Sequence, residues 1–476
     1  MPVSRVEIVD RGPLAAGRSF GASGPYEYLT GVLHFASDPG HPGNKAICDL
    51  NLAPTNREGL VEHRAQFHLL KPVGPKPRGR VLVDSINRGN ITALATFNSV
   101  ARRTDANPDV DPGNGFLFRH GYSVLCIGVQ WDPPESPERM RAWYPEALEN
   151  GQRVRGQNFV QWWPNKRTPH QLLSDSGHKP YPTADINDPS AVLIVRDHQD
   201  GEPIVIARSR WRFAKAGKDS TEPNADYVWL EGGFDAGKVY ELTYTALGAP
   251  VVGLAFLAYR DAATFLKHGS AAEANPLAGA IDYAYGYGQS MNGRWLREYL
   301  YWGLNRDESG RIAFDGMLAN TASSRRGEFN IRFGQPSTNI LRAPGNTYPF
   351  VRSDARAISR RQPRSRRPLP RGRVDAQSDR HEFGNGILVE RRFAGTHHGE
   401  RRAGSRAAGR RSHLLHGRCA ARPRRAPAIE SQSRRVPCEA AVEHPRLSAS
   451  HARVAHGARR VGTRRHRSSG EPRAEG

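Results

Sequence analysis

Residues 283–302 read Tyr-Ala-Tyr-Gly-Tyr-Gly-Gln-Ser-Met-Asn-Gly-Arg-Trp-Leu-Arg-Glu-Tyr-Leu-Tyr-Trp, and this stretch decides the fold. A buried strand is predicted over residues 281–287, and it runs directly into Gly288-Gln-Ser290. A helix begins at once, because large apolar side chains recur at helical spacing. They are Trp295, Leu296, Tyr299 and Leu300. The stretch therefore predicts a sharp strand-to-helix turn at Ser290.

Small residues flank Ser290 in this turn. A sharp turn strains the backbone of its central residue and brings neighbouring elements close, so small residues are needed beside it. Gly288 and Gly293 supply them, and Arg294 follows directly. This arrangement is typical of a nucleophile elbow, in which the serine is the attacking group. The alternative is that Ser290 merely caps the helix, as many serines at helix N-termini do.

The helix N-terminus also suits the chemistry of a nucleophile. There the helix dipole and the free backbone N–H groups favour developing negative charge. We expect the N–H of Met291 to be the first donor of an oxyanion hole. The second donor should come from the loop Asn87-Arg88-Gly89-Asn90, which follows an earlier strand.

The segments around that loop alternate between strand and helix. Residues 80–86 form a β-branched run that feeds the loop, and residues 122–129 predict a second buried strand. Between them, residues 115–120 predict a helix end with Gly121 as its cap. A further amphipathic helix is predicted over residues 253–267. Strand, helix, strand indicates an α/β fold class, with a mostly parallel sheet flanked by helices.

Residues 132–250 interrupt this rhythm with a Pro- and Trp-rich segment and several strand-like runs. We interpret them as a β-rich insertion or lid. The aromatic residues Trp162, Trp163 and Tyr181 either wall a substrate pocket or form the core of the insertion.

Residues 232–239, Gly-Gly-Phe-Asp-Ala-Gly-Lys-Val, nearly match a phosphate-binding loop. However, valine stands where Ser or Thr must hold magnesium, and a strand follows, so we predict a hairpin turn.

Composition divides the 476 residues into two regions. Residues 352–476 hold 31 Arg, no Lys and 11 acidic residues, a net charge of +20 out of the whole chain's +22. All Trp, Tyr and Met residues precede residue 352. Residues 1–351 can therefore bury a sizeable core, whereas we expect the Arg-rich tail, residues 352–476, to be disordered.

Several classes of protein are excluded by composition. The four cysteines form no CxxC pair and are too sparse for a disulfide framework, so we expect a reducing compartment and no structural zinc. The first residues contain no apolar signal-peptide core, and the longest apolar run, about residues 249–259, is too short to span a bilayer. The expected location is the cytoplasm, without a membrane partner.

Taken together, these motifs resemble the bacterial alpha/beta hydrolase domain family, whose nucleophile segment runs Gly-x-Ser-Gln-x-Gly-Arg-x-x-Arg. Here the segment is residues 288–297, with Met291 where the family usually has Gln. Further matching segments are Ser19–Gly21, Gly24–Glu27, Asn87–Gly89, Gly253, Arg260–Asp261, Gly303–Asn305, Gly310–Gly316, Arg325–Asn330 and Arg332–Phe333. The resemblance covers about residues 5–350 and implies an alpha/beta hydrolase fold with Ser290 as nucleophile.

A hydrolase of this fold requires an acid and then a histidine after the serine. No histidine occurs between Ser290 and Val351. Asp315 opens the next strand rather than following its end, and we interpret it as structural. Residues 393–399, which include His397 and His398, resemble the family's Ala-Gly-x-Gln-His segment, but no strand is predicted before them.

A change of reading frame offers an explanation for the missing groups. If every codon after about Phe350 is read one nucleotide late, residues 382–388 permit Ser-Ser-Glu-x-Glu-Tyr-Trp and residues 415–421 permit Phe-Met-Ala-Gly-Ala-Gln-His. These resemble the family's acid and histidine segments in the right order. Residues 453–462 then permit an amphipathic final helix. We hypothesise that the Arg-rich tail is a frameshifted translation, which predicts weak or no turnover and poor stability for this chain.

Three functions are consistent with the sequence. The first is a serine hydrolase that acts on a small ester or related acyl substrate through a Ser290 acyl-enzyme, with no metal or organic cofactor. The second is incidental, nonspecific nucleic-acid binding by the Arg-rich tail. The third is a catalytically dead product of a frameshifted gene. Naming an ester rests on analogy with the fold.

Overall fold

The structure is a computed structural model. It describes residues 2–74, 79–100, 110–175, 177–218, 220–323 and 325–338, and the backbone of residues 381–383 and 387–391. All of these residues belong to one compact unit, residues 1–397. No helix within the described ranges is long and apolar enough to cross a membrane.

The described residues form 21 strands and four α-helices. The first strands are β1 (Val3–Pro13), β2 (Tyr26–Ser37), β3 (Val61–Pro72), β4 (Gly79–Ser85), β5 (Tyr122–Ile127), β6 (Ala142–Trp143), β7 (Leu148–Glu149), β8 (Gln152–Arg153), β9 (Arg155–Trp162) and β10 (Thr168–Leu172). The next are β11 (Val192–Arg196), β12 (Ile204–Val205), β13 (Trp211–Arg212), β14 (Ala214–Ala216), β15 (Thr221–Pro223), β16 (Tyr227–Phe234), β17 (Val239–Leu247), β18 (Ile281–Gln289), β19 (Gly316–Asn320), β20 (His381–Phe383) and β21 (Ile387–Arg391). The helices are α1 (Ala93–Phe97), α2 (Phe116–Arg119), α3 (Leu254–His268) and α4 (Met291–Tyr301).

The largest sheet has ten strands in the order β1-β2-β3-β5-β4-β18-β19-β21-β20, with β6 beside β3. Parallel pairing is confined to the segment β5-β4-β18-β19. The prediction of a mostly parallel sheet is therefore wrong, and the sheet is mixed. The long strands β1, β2 and β3 are successive in the chain and pair antiparallel.

The parallel segment positions the predicted nucleophile. β18 lies between β4 and β19, with Tyr285 opposite Leu82 on one side and Gly316 on the other. The carboxyl ends of parallel strands meet at one edge of a sheet, where ligands bind in open α/β sheets. The end of β18 and the end of β4 therefore bring Ser290 and the loop after Ser85 to the same edge.

Two helices predicted from sequence cover this part of the sheet. α3 begins one residue after Gly253 and is buried along nearly all of its length. It packs on α4 through aromatic rings, with the centroids of Phe256 and Trp295 4.7 Å apart. The hydroxyl of Tyr259 accepts a hydrogen bond from the Tyr287 N–H and donates one to the Val83 carbonyl (3.1 and 2.7 Å). The helix layer is thus joined to both β18 and β4.

Residues 132–250 contain many short strands, and apart from β6, which pairs with β3, these strands form small separate sheets. The predicted hairpin at residues 232–239 is wrong. β16 belongs to the sheet β10-β16-β13, whereas β17 belongs to the sheet β12-β11-β17-β9, so the turn connects two sheets.

Trp162 and Tyr181 are buried in the core, while Trp163 is half exposed. Two of the three aromatic residues are therefore core.

The Arg-rich tail contains two strands where the sequence predicted disorder. β21 pairs antiparallel with β19, from Gly316 opposite Arg391 to Ala319 opposite Leu388, and β20 pairs with β21. The β-branched and apolar run at residues 387–389 has strand propensity, which the Arg-rich surroundings obscured. The other tail residues lie outside the described ranges.

Candidate active site

Ser290 occupies a strained backbone position between β18 and α4. Its φ and ψ angles are 57° and −115°, a region that non-glycine residues rarely adopt. Ser290 is the N-cap residue of α4, yet its side chain makes no capping hydrogen bond. The residue is exposed. The geometry is that of the predicted turn, and it removes the alternative in which the hydroxyl only caps the helix.

The two glycines are required by close approaches on either side of Ser290. A Cβ atom at Gly288 would lie 2.8 Å from the Ser85 hydroxyl oxygen and even closer to the Asn292 carbonyl. A Cβ atom at Gly293 would lie 2.8 Å from the Asn320 carbonyl oxygen. Both distances are shorter than real Cβ contacts, so any larger residue would push the elements apart.

The end of β19 holds the strained backbone in place. The N–H of Ser290 donates to the Asn320 carbonyl at 2.9 Å and to the Thr321 hydroxyl at 3.2 Å. Thr321 itself has a left-handed backbone, with φ of 49°. Sequence reasoning missed both residues, although the residues at the carboxyl end of a parallel strand are the place to look for them.

The residues that follow Ser290 at the start of α4 are buried. Met291 is buried, and its N–H lies in the first helical turn, where helix N–H groups have no partner within the helix. This N–H is available for the predicted role as oxyanion donor. Arg294 is also buried, and its backbone N–H donates to the Ser290 carbonyl at 3.1 Å.

Two asparagines join the elbow to the end of β4. Asn292 donates from Nδ2 to the carbonyl oxygens of Ser85 and Ile86 at 2.5 and 2.8 Å. Asn87 donates from Nδ2 to the Gln289 carbonyl at 3.0 Å. The predicted oxyanion-side loop is therefore brought next to Ser290. The role of Asn292 was not foreseen from the sequence.

The loop itself is a tight turn that a buried side chain holds. Asn87 and Asn90 exchange two backbone hydrogen bonds of 3.0 Å, with Arg88 and Gly89 at φ of 51° and 81°. The N–H of Arg88 donates to Oε1 of the buried Gln130 at 2.6 Å. This engagement makes the Arg88 N–H unavailable as an oxyanion donor in this conformation. The same Gln130 amide lies 4.0 Å from the Met291 sulfur, so it contacts both sides of the site.

Buried carboxylates anchor the surroundings of the turn. Asp84 accepts hydrogen bonds from the Thr92 N–H, the Thr92 hydroxyl and the Ala93 N–H (2.7–2.8 Å). Asp132 accepts from the N–H and hydroxyl of Ser337 at 2.9 and 2.7 Å. Burial raises the pKa of Asp84 and of Asp132 to about 6 in spite of these bonds.

Arg88 reaches from the turn to the same segment. Its Nε donates to the Ser337 carbonyl at 2.9 Å. Nearby, burial lowers the pKa of His178 to about 4, and the positive charge of Arg88 contributes to the shift. His178 is therefore neutral at pH 7.

The acid and base of a serine hydrolase are not assembled within the described residues. No hydrogen bond of the Ser290 hydroxyl to another described residue is present. Asp315 accepts from Lys267 Nζ and from the Ala284 N–H, both at 2.9 Å, which fits the structural role predicted for it. His397 and His398 lie outside the described residues, although β21 ends shortly before them. No cluster of metal-ligating side chains occurs in the described part of the chain.

Comparison with known proteins gives one match. Residues 226–445 match the family model described as an alpha/beta hydrolase domain. This range includes Ser290 and both glycines, and it extends well into the Arg-rich tail. No curated protein and no solved structure matches the chain.

Proposed function

We propose, from the premise that this chain belongs to the alpha/beta hydrolase domain family, that it is a serine hydrolase with Ser290 as its nucleophile. The substrate would be an ester or a related acyl compound, and the intermediate an acyl-enzyme. No organic cofactor or metal is part of this proposal, and a reducing, cytoplasmic location is proposed with it.

The observation that carries the proposal is the strained backbone of Ser290. A residue with φ of 57° costs free energy, and such strain is retained where the surroundings over-determine it. Here the close approaches at two glycines fix the backbone of Ser290, together with the hydrogen bonds that its N–H donates to Asn320 and Thr321. The exposed hydroxyl makes no bond to the helix that it precedes. A serine that served only as a cap would have neither feature.

The proposed reaction begins with attack of the Ser290 oxygen on the acyl carbon. The carbonyl oxygen of the substrate then gains negative charge beside the N-terminus of α4. The N–H of Met291 would donate to it. A second donor would come from the turn at Asn87–Asn90, through Gly89 or through Arg88 after release from Gln130. The hydroxyl proton must pass to a base, and the described residues supply none in contact with Ser290.

The frameshift remains our proposal for this missing base. It predicts that the chain as written has a nucleophile but little or no turnover. The family match continues through residues 352–445, which a wholly out-of-frame tail does not explain. Resequencing the gene across the codons for Tyr348–Asp354 decides the matter. An extra or missing base would establish the frameshift, and an unchanged sequence would make residues 352–476 the genuine tail.

The nucleophile is tested by reaction with a fluorophosphonate, which labels activated serines. We expect mass spectrometry to find the label on Ser290 in a protein with a corrected reading frame, and no label in Ser290→Ala. The matched control is Ser270→Ala, which removes an exposed capping serine elsewhere and should leave labelling unchanged. Labelling that persists in Ser290→Ala, or that never occurs in the corrected protein, would falsify the proposal.

A further inference from the structure

A second arginine lies on the turn at Asn87–Asn90, and the proposed mechanism does not use it. The guanidinium of Arg139 donates from Nη1 to the Arg88 carbonyl at 3.3 Å. The backbone beside it donates from the Met140 N–H to the Gly89 carbonyl, also at 3.3 Å. A Cβ atom at Gly89 would lie 2.8 Å from the Cβ of Arg139. Arg139 therefore packs directly against the turn that adjoins Ser290.

The charge of Arg139 is not balanced by a carboxylate among the described residues. The neighbouring Arg141 pairs with Glu135 at 2.5 Å. Arg88 lies close enough to Asp132 that its charge offsets a small part of the rise that burial causes in the pKa of that carboxyl. Arg139 is only partly buried, and within the described ranges the hydrogen bond of its guanidinium goes to a neutral carbonyl. A guanidinium has five N–H donors, so most of them remain for a ligand.

His178 lies near both arginines of the turn region. Burial is the main cause of the lowered pKa of His178, the positive charges of Arg88 and Arg139 lower it further, and Asp175 raises it. Arg88 and Arg139 thus both place positive charge beside the turn. This edge of the sheet is also where the carboxyl ends of β4 and β18 meet.

We infer that the substrate of the Ser290 site carries a carboxylate, which the guanidinium of Arg139 binds. The turn that Arg139 contacts is tied to the residue before Ser290 by the bond from Asn87 to the Gln289 carbonyl. Arginine suits this role because its planar fork matches the two oxygens of a carboxylate. The inference rests on the proposed function, and it narrows the substrate class to esters that retain a free acid group.

Binding of two matched esters to the full chain tests the inference. Monobenzyl succinate has a free carboxylate, and benzyl methyl succinate has the same skeleton without the charge. By isothermal titration at low salt, we expect the charged ester to bind about tenfold more tightly, as a charge-assisted hydrogen bond implies. Arg139→Gln should abolish this preference without changing the affinity for the neutral ester. Raising the ionic strength should also reduce the preference.

The control variant is Arg212→Gln, which removes an exposed arginine that lies over Trp229 in the insertion. It should keep the full preference for the charged ester. Equal affinity for both esters, or a preference that survives in Arg139→Gln, would overturn the inference. Binding needs neither an activated serine nor a base. These results are therefore independent of the fluorophosphonate test, and either proposal can fail alone.

Discussion

The elbow at Gly288–Gly293 and the turn at Asn87–Asn90 face each other across the same edge of the sheet, but they are held in different ways. The elbow is fixed by backbone atoms, namely close approaches at two glycines and bonds from strand ends. The turn is closed by two backbone hydrogen bonds between Asn87 and Asn90, and the side chains of Gln130 and Asn87 tie it to its surroundings. The proposed nucleophile is therefore held by the sheet, whereas the proposed oxyanion side is tied to its surroundings by side chains that can be substituted. We expect substitutions at the elbow to destabilise the fold. Substitutions around the turn should mainly change the properties of the site.

The largest effect is expected at Gly288. Gly288→Ala places a Cβ atom against the Ser85 hydroxyl and the Asn292 carbonyl, and two strands would have to move apart. We expect the free energy of unfolding to fall by about 3 kcal/mol or more, measured by urea denaturation. Gly217→Ala is the control, because the nearest atom to its Cβ would be at an ordinary 3.4 Å. If Gly288→Ala were as stable as Gly217→Ala, the close approaches at Gly288 would not be what fixes the elbow.

On the turn side, Asp132 should make stability depend on pH. Burial raises its pKa from 3.8 to about 6, so the folded state holds this proton more tightly than the unfolded state. The stability that Asp132 contributes is full below about pH 4 and is lost as the pH rises to about 6. The loss amounts to about 3 kcal/mol, from the size of the pKa shift. Urea denaturation between pH 4 and pH 7 should show a shallower decline for Asp132→Asn. Identical pH dependence in both proteins would contradict this assignment.

A smaller effect is expected at Asn292, which joins the two regions. Asn292→Ala removes both hydrogen bonds to the carbonyls of Ser85 and Ile86, which lie in a buried part of the structure. The expected loss is about 2 kcal/mol in the free energy of unfolding. Asn292→Asp should be worse, because a carboxylate cannot donate to a carbonyl. If both variants unfolded at the wild-type urea concentration, the two regions would not be coupled through this residue.

The smallest effect is expected at Thr321. Thr321→Ala removes one acceptor from the Ser290 N–H, but the Asn320 carbonyl still accepts it. We expect a loss of about 1 kcal/mol or less in stability and slower labelling of Ser290 by a fluorophosphonate. Thr321→Ser keeps the hydroxyl and should restore the labelling rate. Slow labelling in both variants would assign the effect to the β-branched carbon instead of the hydrogen bond.

The sequence predicts the parts of this fold that local patterns encode. The strand before Ser290, the helix after it and the need for Gly288 all follow from apolar spacing and from the geometry of a sharp turn. α3 was predicted to within one residue at either end. These elements are determined by residues that lie close together in the chain.

The parts that escaped prediction depend on distant residues. Gln130 lies 161 positions from Met291, and Asn292 lies 207 positions from Ser85, so no local pattern reports either contact. The mixed sheet was missed for a similar reason, since strand propensity does not specify the direction of the neighbour. At residues 232–239, a turn between two sheets has the same local signature as a hairpin. Only the pairing of β16 and β17 with other strands distinguishes them.

The central position of β18 has a consequence for exchange of amide protons with solvent. Because β4 and β19 both pair with β18, the amide protons of β18 exchange only when the sheet opens. Deuterium uptake in the peptide that ends at Gln289 should therefore be among the slowest in the chain. The peptide that carries Arg88 and Gly89 should exchange much sooner. Ser290 would then directly follow a segment with very slow amide hydrogen exchange, whereas the turn at Asn87–Asn90 would exchange faster.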